Sequence, residues 1–536
     1  MKKLLIIPAA GLATRMMPLS ASMSKAMIPV VGKPILAHII DSVHEYVDHI
    51  IVVHGMHDDI PDFLKKKDYH KVSWCKQGSH DGPLGAIWSG IEYFEKHNRY
   101  NDENYYTTIW LGDTLIKDIE TCEDIITENN EANTAQLGVA QVDDWSRWCL
   151  ISEDAYDIID KPIEQPDTDN ALIGIYKLNY DFMILWQTVG MLISDGEKEI
   201  KPLLESFSDE TRNIIDFTKD WVDCGDLPSL YKANSALIST KARGHNSIRI
   251  ENGVVHKTSN RYEQETKWYK EINYEVQNVI PLTPQYYGQT GENTYAIELC
   301  SGTTLQDLVL YHNINRRDVW ENIISTVLER ANIMHKDKIS KIRPFSDKYN
   351  VQDYMMFDDN IRERLESLLN DNIIDETEHF ILNDYIDDCY KYIIDNNIRG
   401  DLSRVIHGDM HFGNIFFDAA TDKVKFIDPR GQWGDEITVH GNKVYDIAKF
   451  YQSILCKYCH ISSDEKLTQK SSDLYDMLLD IIDIELLKYM SKEHIAASKK
   501  YAICLIASAI PCHSDNQVRQ HIMKNMALDL IKSGKY

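Results

Sequence analysis

From Ile406 to Asp418 the chain reads IHGDMHFGNIFFD, and from Phe426 to Gly431 it reads FIDPRG. Asp409, Asn414 and Asp428 stand there in an order and spacing that suit phosphoryl transfer. A loop aspartate can accept the proton of an attacking hydroxyl. An amide oxygen five residues on can hold Mg²⁺, and a carboxylate closing the next strand can hold the same metal against the phosphates of ATP. A different phosphate chemistry opens the chain, in PAAGLATRMMPLSASMSK from Pro8 to Lys25. Ala10, Gly11 and Leu12 let backbone N–H groups approach a triphosphate. Arg15 offers a planar fork to phosphate oxygens, and Lys25 a point charge. One chain with two chemistries is the expectation.

Such residues need scaffolds, and 536 residues are too many for a single core. Residues 1–235 alternate short apolar runs with helical patterns. KKLLIIPAA, HIIVVHG, YTTIWLGD and AQLGVAQV read as strands buried on both faces, with ILAHIIDSVHEYV and LGAIWSGIEYFEKH as helices between them. The pattern predicts an α/β domain with a Rossmann-like, mostly parallel sheet, which binds ligands beyond the carboxyl ends of its strands. The polar stretch 236–246, ALISTKARGHN, is the expected linker. Residues 247–536 then give short strand-like pieces, SIRIENGVVHKTS and TYAIELC, followed by mostly helical patterns interrupted by the hairpin-like NIFFDAATDKVKFID. This second domain is expected to be α+β, a small sheet lobe followed by a helical lobe.

The segment from Pro8 through VVGKP resembles the signature of the sugar-1-phosphate nucleotidyltransferases, especially the bacterial UTP–glucose-1-phosphate uridylyltransferase type. Further pieces follow in the order of that family across the first domain. The resemblance implies that Arg15 and Lys25 stabilise the α-phosphate and the departing pyrophosphate. It makes Gln77 and GPLGA, with Gly82 and Gly85, the segment that contacts base and ribose. It makes Asp113 and Asp223 joint ligands of one Mg²⁺, Lys161 the ligand of the acceptor phosphate, and Glu197, with Glu199 beside it in GEKEI, the contact to the acceptor hydroxyl. Ala13 stands where the family has Gly, and Ser24 where it has Pro before the lysine. A Cβ at position 13 calls for a negative φ.

IHGDMHFGN and FIDPRG resemble the aminoglycoside phosphotransferase and choline kinase superfamily. That resemblance implies a kinase-like fold, with Asp409 as catalytic base and Asn414 and Asp428 as metal ligands. Lys257 falls where a strand lysine meets ATP phosphates, and Glu265 (or Glu263) where a helix glutamate holds that lysine. YAIELCSG is placed as the adenine hinge, and KVYDIAKF, with Asp446, as a helix buttressing the loop. RGHNSIRIENG lacks the Gly-rich phosphate loop of protein kinases.

A formal net charge of -26 opposes any polyanion-binding surface, so no nucleic-acid partner is expected. The apolar run Leu4–Ala10 is short and leads into the Gly-Arg loop, so it reads as a buried strand and not as a signal peptide. No stretch of about 18 apolar residues suggests a membrane span. Ten scattered cysteines fit reduced thiols and a cytoplasmic setting. CKYCH, Cys456 to His460, matches a haem-attachment pattern, and with Cys512 and His513 it matches a zinc one. Its place on an amphipathic pattern favours core packing. Trp145, Trp148 and Cys149 are expected to pack a strand edge near a sugar pocket.

The combined expectation is a bifunctional enzyme using Mg²⁺ at both sites. ATP phosphorylates a small hydroxyl compound, most readily a sugar. A second NTP, UTP or CTP, then transfers its nucleotidyl group to that phosphate, giving an activated block for capsule or another surface glycan. The alternatives are an amino alcohol such as choline with CTP, supported if the acceptor pocket proves aromatic and cation-binding, and a chain in which one domain is a degenerate binding module. The partners expected are small molecules. The sequence leaves oligomeric state open, a homo-oligomer included.

Overall fold

The computed structural model describes all residues except 1, 18–19, 21–22, 99–104, 128–130, 239–246, 252, 276–280, 313, 336–358, 399–401, 404 and 434–435. Two compact units divide the chain, Met1–Lys241 and Ala242–Tyr536. The helix Leu227–Ile238 carries the first unit into the stretch read as a linker, whose residues 239–246 lie outside the described ones.

The first unit is built on a nine-stranded sheet. Strand Lys2–Ala9 lies between His49–His54 and Tyr105–Trp110 and is parallel to both. Val72–Lys76 extends the parallel half beside His49–His54. Leu4 to Ile7 and Ile50 to Val53 are all at most 1% exposed, as continuous apolar runs require when both sheet faces are covered. Helix Gly82–Asn98 covers one face, packing on Lys2–Ala9, His49–His54 and Val72–Lys76.

The other half departs from the mostly parallel expectation. Asn170–Leu178 runs antiparallel to both Tyr105–Trp110 and Ala135–Gln141, and only Arg212–Asp216 restores a parallel pair, with Ala135–Gln141. The reason lies in the connection. Between Gln141 and Asn170 there is no α-helix, only a one-turn 3₁₀ segment, Trp145–Arg147, and the short strands Cys149–Ile151 and Ile158–Asp160. Without a crossover helix the chain returns antiparallel.

The second unit opens with a four-stranded antiparallel sheet in the order Ser247–Glu251, Val254–Thr258, Thr294–Glu298, Tyr286–Gly291. Helix Tyr262–Glu275 packs on it. Helices dominate thereafter, and the hairpin Ile415–Asp418/Lys423–Phe426 interrupts them. Helix Lys443–Leu455 packs along Lys492–Ala509 at the centre of this part. Lys492–His513 is long and apolar enough to cross a membrane by length and composition, which the sequence reading did not anticipate. Its 18-residue apolar stretch is 67% buried inside the unit, as in a core helix.

Candidate functional site

In the first unit the residues expected at the phosphates follow the carboxyl end of the central strand Lys2–Ala9. Gly112 N donates to Pro8 O at 3.1 Å. On the other side a Cβ at Gly55 would meet Ala10 O at 2.7 Å, so only glycine lets the loop pass. Gly11 and Leu12 are exposed beyond it. Ala13 corrects an expectation: its φ is 48°, left-handed, so the Cβ is carried at a strained position and is not accommodated by a negative φ. The Pro-to-Ser departure has a partner. Ser24 N and Oγ donate to the two oxygens of Asp59 at 2.6 and 2.7 Å. A proline could not make the backbone bond. Ser24, tied to Asp59, immediately precedes the turn that presents Lys25, whose ammonium pairs with Asp113.

Asp113 and Asp223 meet because their strands pair. Thr114–Ile116 lies antiparallel to Trp221–Asp223, with Asp223 opposite Thr114, and Cys224 N donates to Asp113 O at 3.2 Å. Burial, and then the like charge of Asp113, push the Asp223 carboxyl up, although Ser229 and the Gly225 N–H oppose the shift. Two converging carboxylates, one of them raised chiefly by burial, are a hard-oxygen donor set that fits Mg²⁺.

A cavity of about 240 Å³ adjoins them. Arg15, Asp113, Lys161, Glu199 and Asp223 all stand in its wall. Lys161 is itself left-handed, φ 45°, and its N–H donates to Trp148 O at 2.9 Å. Glu199 lines the cavity; Glu197, the glutamate expected on the acceptor hydroxyl, is exposed and outside the lining. Gln77 Nε2 donates to His80 O at 2.7 Å and Gly82 O at 3.1 Å, which folds the GPLGA turn. A Cβ on Gly85 would lie 2.2 Å from His80 O, and one on Gly82 would lie 2.6 Å from Lys198 O, so both glycines bring this turn against its neighbours.

Sequence reasoning missed Arg147, Lys201 and Trp221, which also line the cavity. Arg147 pairs with Asp226, and Trp148 meets Trp221 edge-on at 5.2 Å. The available signal was WSRWC and a third aspartate, Asp226, just past Asp223. Cys149 is inert there, its thiol pushed up to about 12 by burial.

In the second unit Lys257 Nζ lies 3.1 Å from Glu265 Oε2 and 2.8 Å from Asp428 Oδ1. Glu265, and not Glu263, is therefore the partner of that lysine. Its carboxylate also accepts from Tyr295 OH at 2.5 Å and Ser259 Oγ at 3.0 Å. Burial works against the Lys257 charge, but Asp428 and Glu265 outweigh it and raise the pKa. Asp428 sits at φ 54°, which turns its side chain out of the strand Lys423–Phe426 that precedes it. Asn414 Nδ2 donates to Asp409 O at 2.9 Å, so the amide oxygen is the atom left to face a cation; with the Asp428 carboxylate the donor set fits Mg²⁺.

The loop holding Asp409 is fixed from behind. Asp446 accepts the N–H groups of His407 and Gly408, each at 2.7 Å, and meets His335 Nε2 at 2.9 Å. His407 Nε2 donates to Ile427 O, and its Nδ1 accepts from Asp409 N, which sets one neutral tautomer. Burial would raise the Asp409 carboxyl, but the charge and hydrogen bond of Lys449, the largest opposing influence, hold it below the usual carboxylate range. His335 and Lys449 were both missed; Lys449 was signalled by its place one turn after Asp446 in KVYDIAKF. Cys456 and Cys459 are buried with their thiols raised by burial, and His460 bonds Tyr475 OH at 2.7 Å. Among the described residues no group of three or more His, Cys, Asp or Glu could hold a metal.

Residues 4–240 match the family model described as nucleotidyl transferase, and the first unit is a nucleotidyltransferase domain. The chain is 28% identical over 259 residues to the bifunctional protein GlmU of Methanocaldococcus jannaschii, a match covering 47% of this chain and 58% of that protein. It is 24% identical over 259 residues to UTP–glucose-1-phosphate uridylyltransferase 2 of Staphylococcus saprophyticus, covering 41% and 86%. Similar solved structures include an apo UDP-glucose pyrophosphorylase, 18% identical over 45% of this chain and 100% of that one, TM-score 0.38. A UTP-bound UGPase from Acinetobacter baumannii is 18% identical over 45% and 95%, TM-score 0.35.

Proposed function

We propose that the chain is a bifunctional cytoplasmic enzyme, in which the second unit phosphorylates a small hydroxyl compound with ATP and the first transfers a nucleotidyl group from UTP or CTP to that phosphate. The observation that carries the reading is the convergence of Arg15, Asp113, Asp223 and Lys161 on one cavity of a nucleotidyltransferase domain. Arg15 and Lys25 neutralise the triphosphate, and Lys161 holds the acceptor phosphate against it. Mg²⁺ held by Asp113 and Asp223 supplies charge neutralisation at the α-phosphate. In the second unit Lys257, steadied by Glu265, orients the ATP phosphates. Asp409 takes the acceptor proton, and Asn414 and Asp428 hold Mg²⁺.

The acceptor favoured is a sugar, with the product entering a surface glycan such as capsule. The ten free cysteines accord with the reducing cytoplasm, where the nucleotides are also found. One observation favours the amino alcohol instead: Trp148 and Trp221 form an aromatic corner in the cavity wall near Asp160 and Glu199. The deciding experiment incubates the chain with ATP, each NTP, and glucose, mannose, N-acetylglucosamine, glycerol, choline or ethanolamine, and identifies products by mass. A nucleoside-diphosphate sugar supports the first reading and a CDP-amino alcohol the second. A product lacking the nucleotidyl group, or none, defeats the two-step reading.

A further inference from the structure

One face of helix Lys443–Leu455 reaches the loop of the second unit at three successive positions. Asp446 accepts from His407 N and Gly408 N, and Ser453 accepts from Phe412 N at 2.9 Å. Lys449, between them at helical spacing, is the one that meets a loop side chain: its Nζ lies 3.2 Å from Asp409 Oδ1. The side chain of Lys449 is only 16% exposed and that of Asp409 33%. Withdrawing an ammonium from water is costly unless it is paired, so the placement is specific. The loop supplies no equivalent charge of its own. From Asp409 to Asn414 it reads DMHFGN, with neither Lys nor Arg, and His411 Nε2 stands farther off, 3.8 Å from Asp409 Oδ2.

We propose that Lys449 is a positioning residue for phosphoryl transfer, holding Asp409 Oδ1 so that Oδ2, whose loop contact is a long 3.4 Å bond from Asn414 Nδ2, is the oxygen presented to the acceptor hydroxyl. The inference rests on reading the second unit as an ATP-dependent phosphotransferase. In that step the hydroxyl oxygen forms a bond to the γ-phosphorus, and the bond from that phosphorus to the β,γ-bridging oxygen breaks. ADP leaves with the electron pair, and the hydroxyl proton passes to Asp409. A carboxylate on a side chain with two rotatable bonds gains little from being near the hydroxyl if it turns away. A fixed Oδ1 removes that freedom before the acceptor arrives. The helix thereby sets the loop backbone through Asp446 and Ser453, and its working side chain through Lys449.

The test uses the full chain with Mg·ATP, taking water and the six compounds named above as acceptors. In Lys449→Met, kcat should fall by about 100-fold, while KM for ATP moves by less than about threefold. Lys449→Arg should recover about tenfold of the loss, since it restores charge but not the reach of an ammonium. In an Asp409→Asn background the same Lys449→Met change should cost less than about threefold, because nothing remains to be positioned. Lys449→Gln repeats the series if the Met variant loses its near-UV circular dichroism. Equal losses in both backgrounds, an effect on KM alone, or Arg performing no better than Met would each overturn the inference. Turnover by the native chain with unchanged kcat in Lys449→Met defeats this inference but spares the kinase reading. No ATP turnover by the native chain, with water or any of the six, defeats both.

Discussion

Ala13 carries its Cβ in a left-handed backbone that glycine adopts freely. Ala13→Gly should therefore stabilise the first unit by about 1 kcal/mol, measured as a higher urea midpoint at unchanged slope. Asp223 shows the opposite economy of a site residue. Its folded-state pKa lies above the ordinary value of 3.8. A raised acid contributes stability that is fully present below the unfolded pKa and is lost as pH rises through the folded one. At pH 7 the ionised Asp223 therefore weakens the fold. In Mg²⁺-free buffer Asp223→Asn should melt higher than the native chain at pH 7, the gap closing as pH falls toward 3.8. Nucleotidyl transfer by the same variant should drop by orders of magnitude, since a metal ligand has gone. A variant that melts lower at pH 7, or keeps its activity, removes Asp223 from this role.

At the scale of elements, helix Lys443–Leu455 is the clearest case of structure made for a loop. Asp446→Ala strands two backbone N–H groups and His335. It should cost about 3 kcal/mol or more, read by denaturant unfolding of the second unit, with ATP-dependent phosphorylation lost and nucleotidyl transfer intact. What the sequence disclosed follows from the same physics. Leu4–Ile7 and Ile50–Val53 are apolar without interruption, so their burial on both faces could be read directly. Asp113 and Asp223 could be named as a pair from a resemblance, but their contact depends on the pairing of two three-residue strands that leave no period. The antiparallel half was hidden because what decides it is a missing helix between Gln141 and Asn170. Of the two acids that flank Lys198 in GEKEI, Glu199 lines the cavity and Glu197 does not, a difference set by which way the turn faces. Arg147 and Lys449 were missed for another reason: each is defined by a carboxylate far along the chain, Asp226 and Asp409.

For the whole molecule, each unit has its own sheet and its own buried core, so residues 1–241 and 242–536 made separately should each unfold cooperatively, as seen by calorimetry. Asp409→Asn in the intact chain should lower ATP-dependent phosphorylation by about 100- to 10,000-fold, leaving a measurable residue, and leave pyrophosphate release from NTP and a supplied phosphorylated acceptor unchanged. Co-expression without channelling is our default for the pairing of the two activities. A mixture of separated units should match the coupled rate of the intact chain at equal concentration; a lag confined to the mixture would contradict it. The central place of strand Lys2–Ala9 also has a consequence for synthesis. It emerges before either neighbour, and the second of them ends at Trp110. At about 5–20 residues per second the ribosome leaves this apolar strand without its second neighbour for roughly 5–20 s. Ala135–Gln141 must likewise await Arg212–Asp216. Nascent chains arrested near residue 150 should accordingly be open to protease and held by chaperones, and chains arrested well past residue 241 should resist digestion across the first unit, so that the nucleotidyltransferase domain matures while its partner is still being translated.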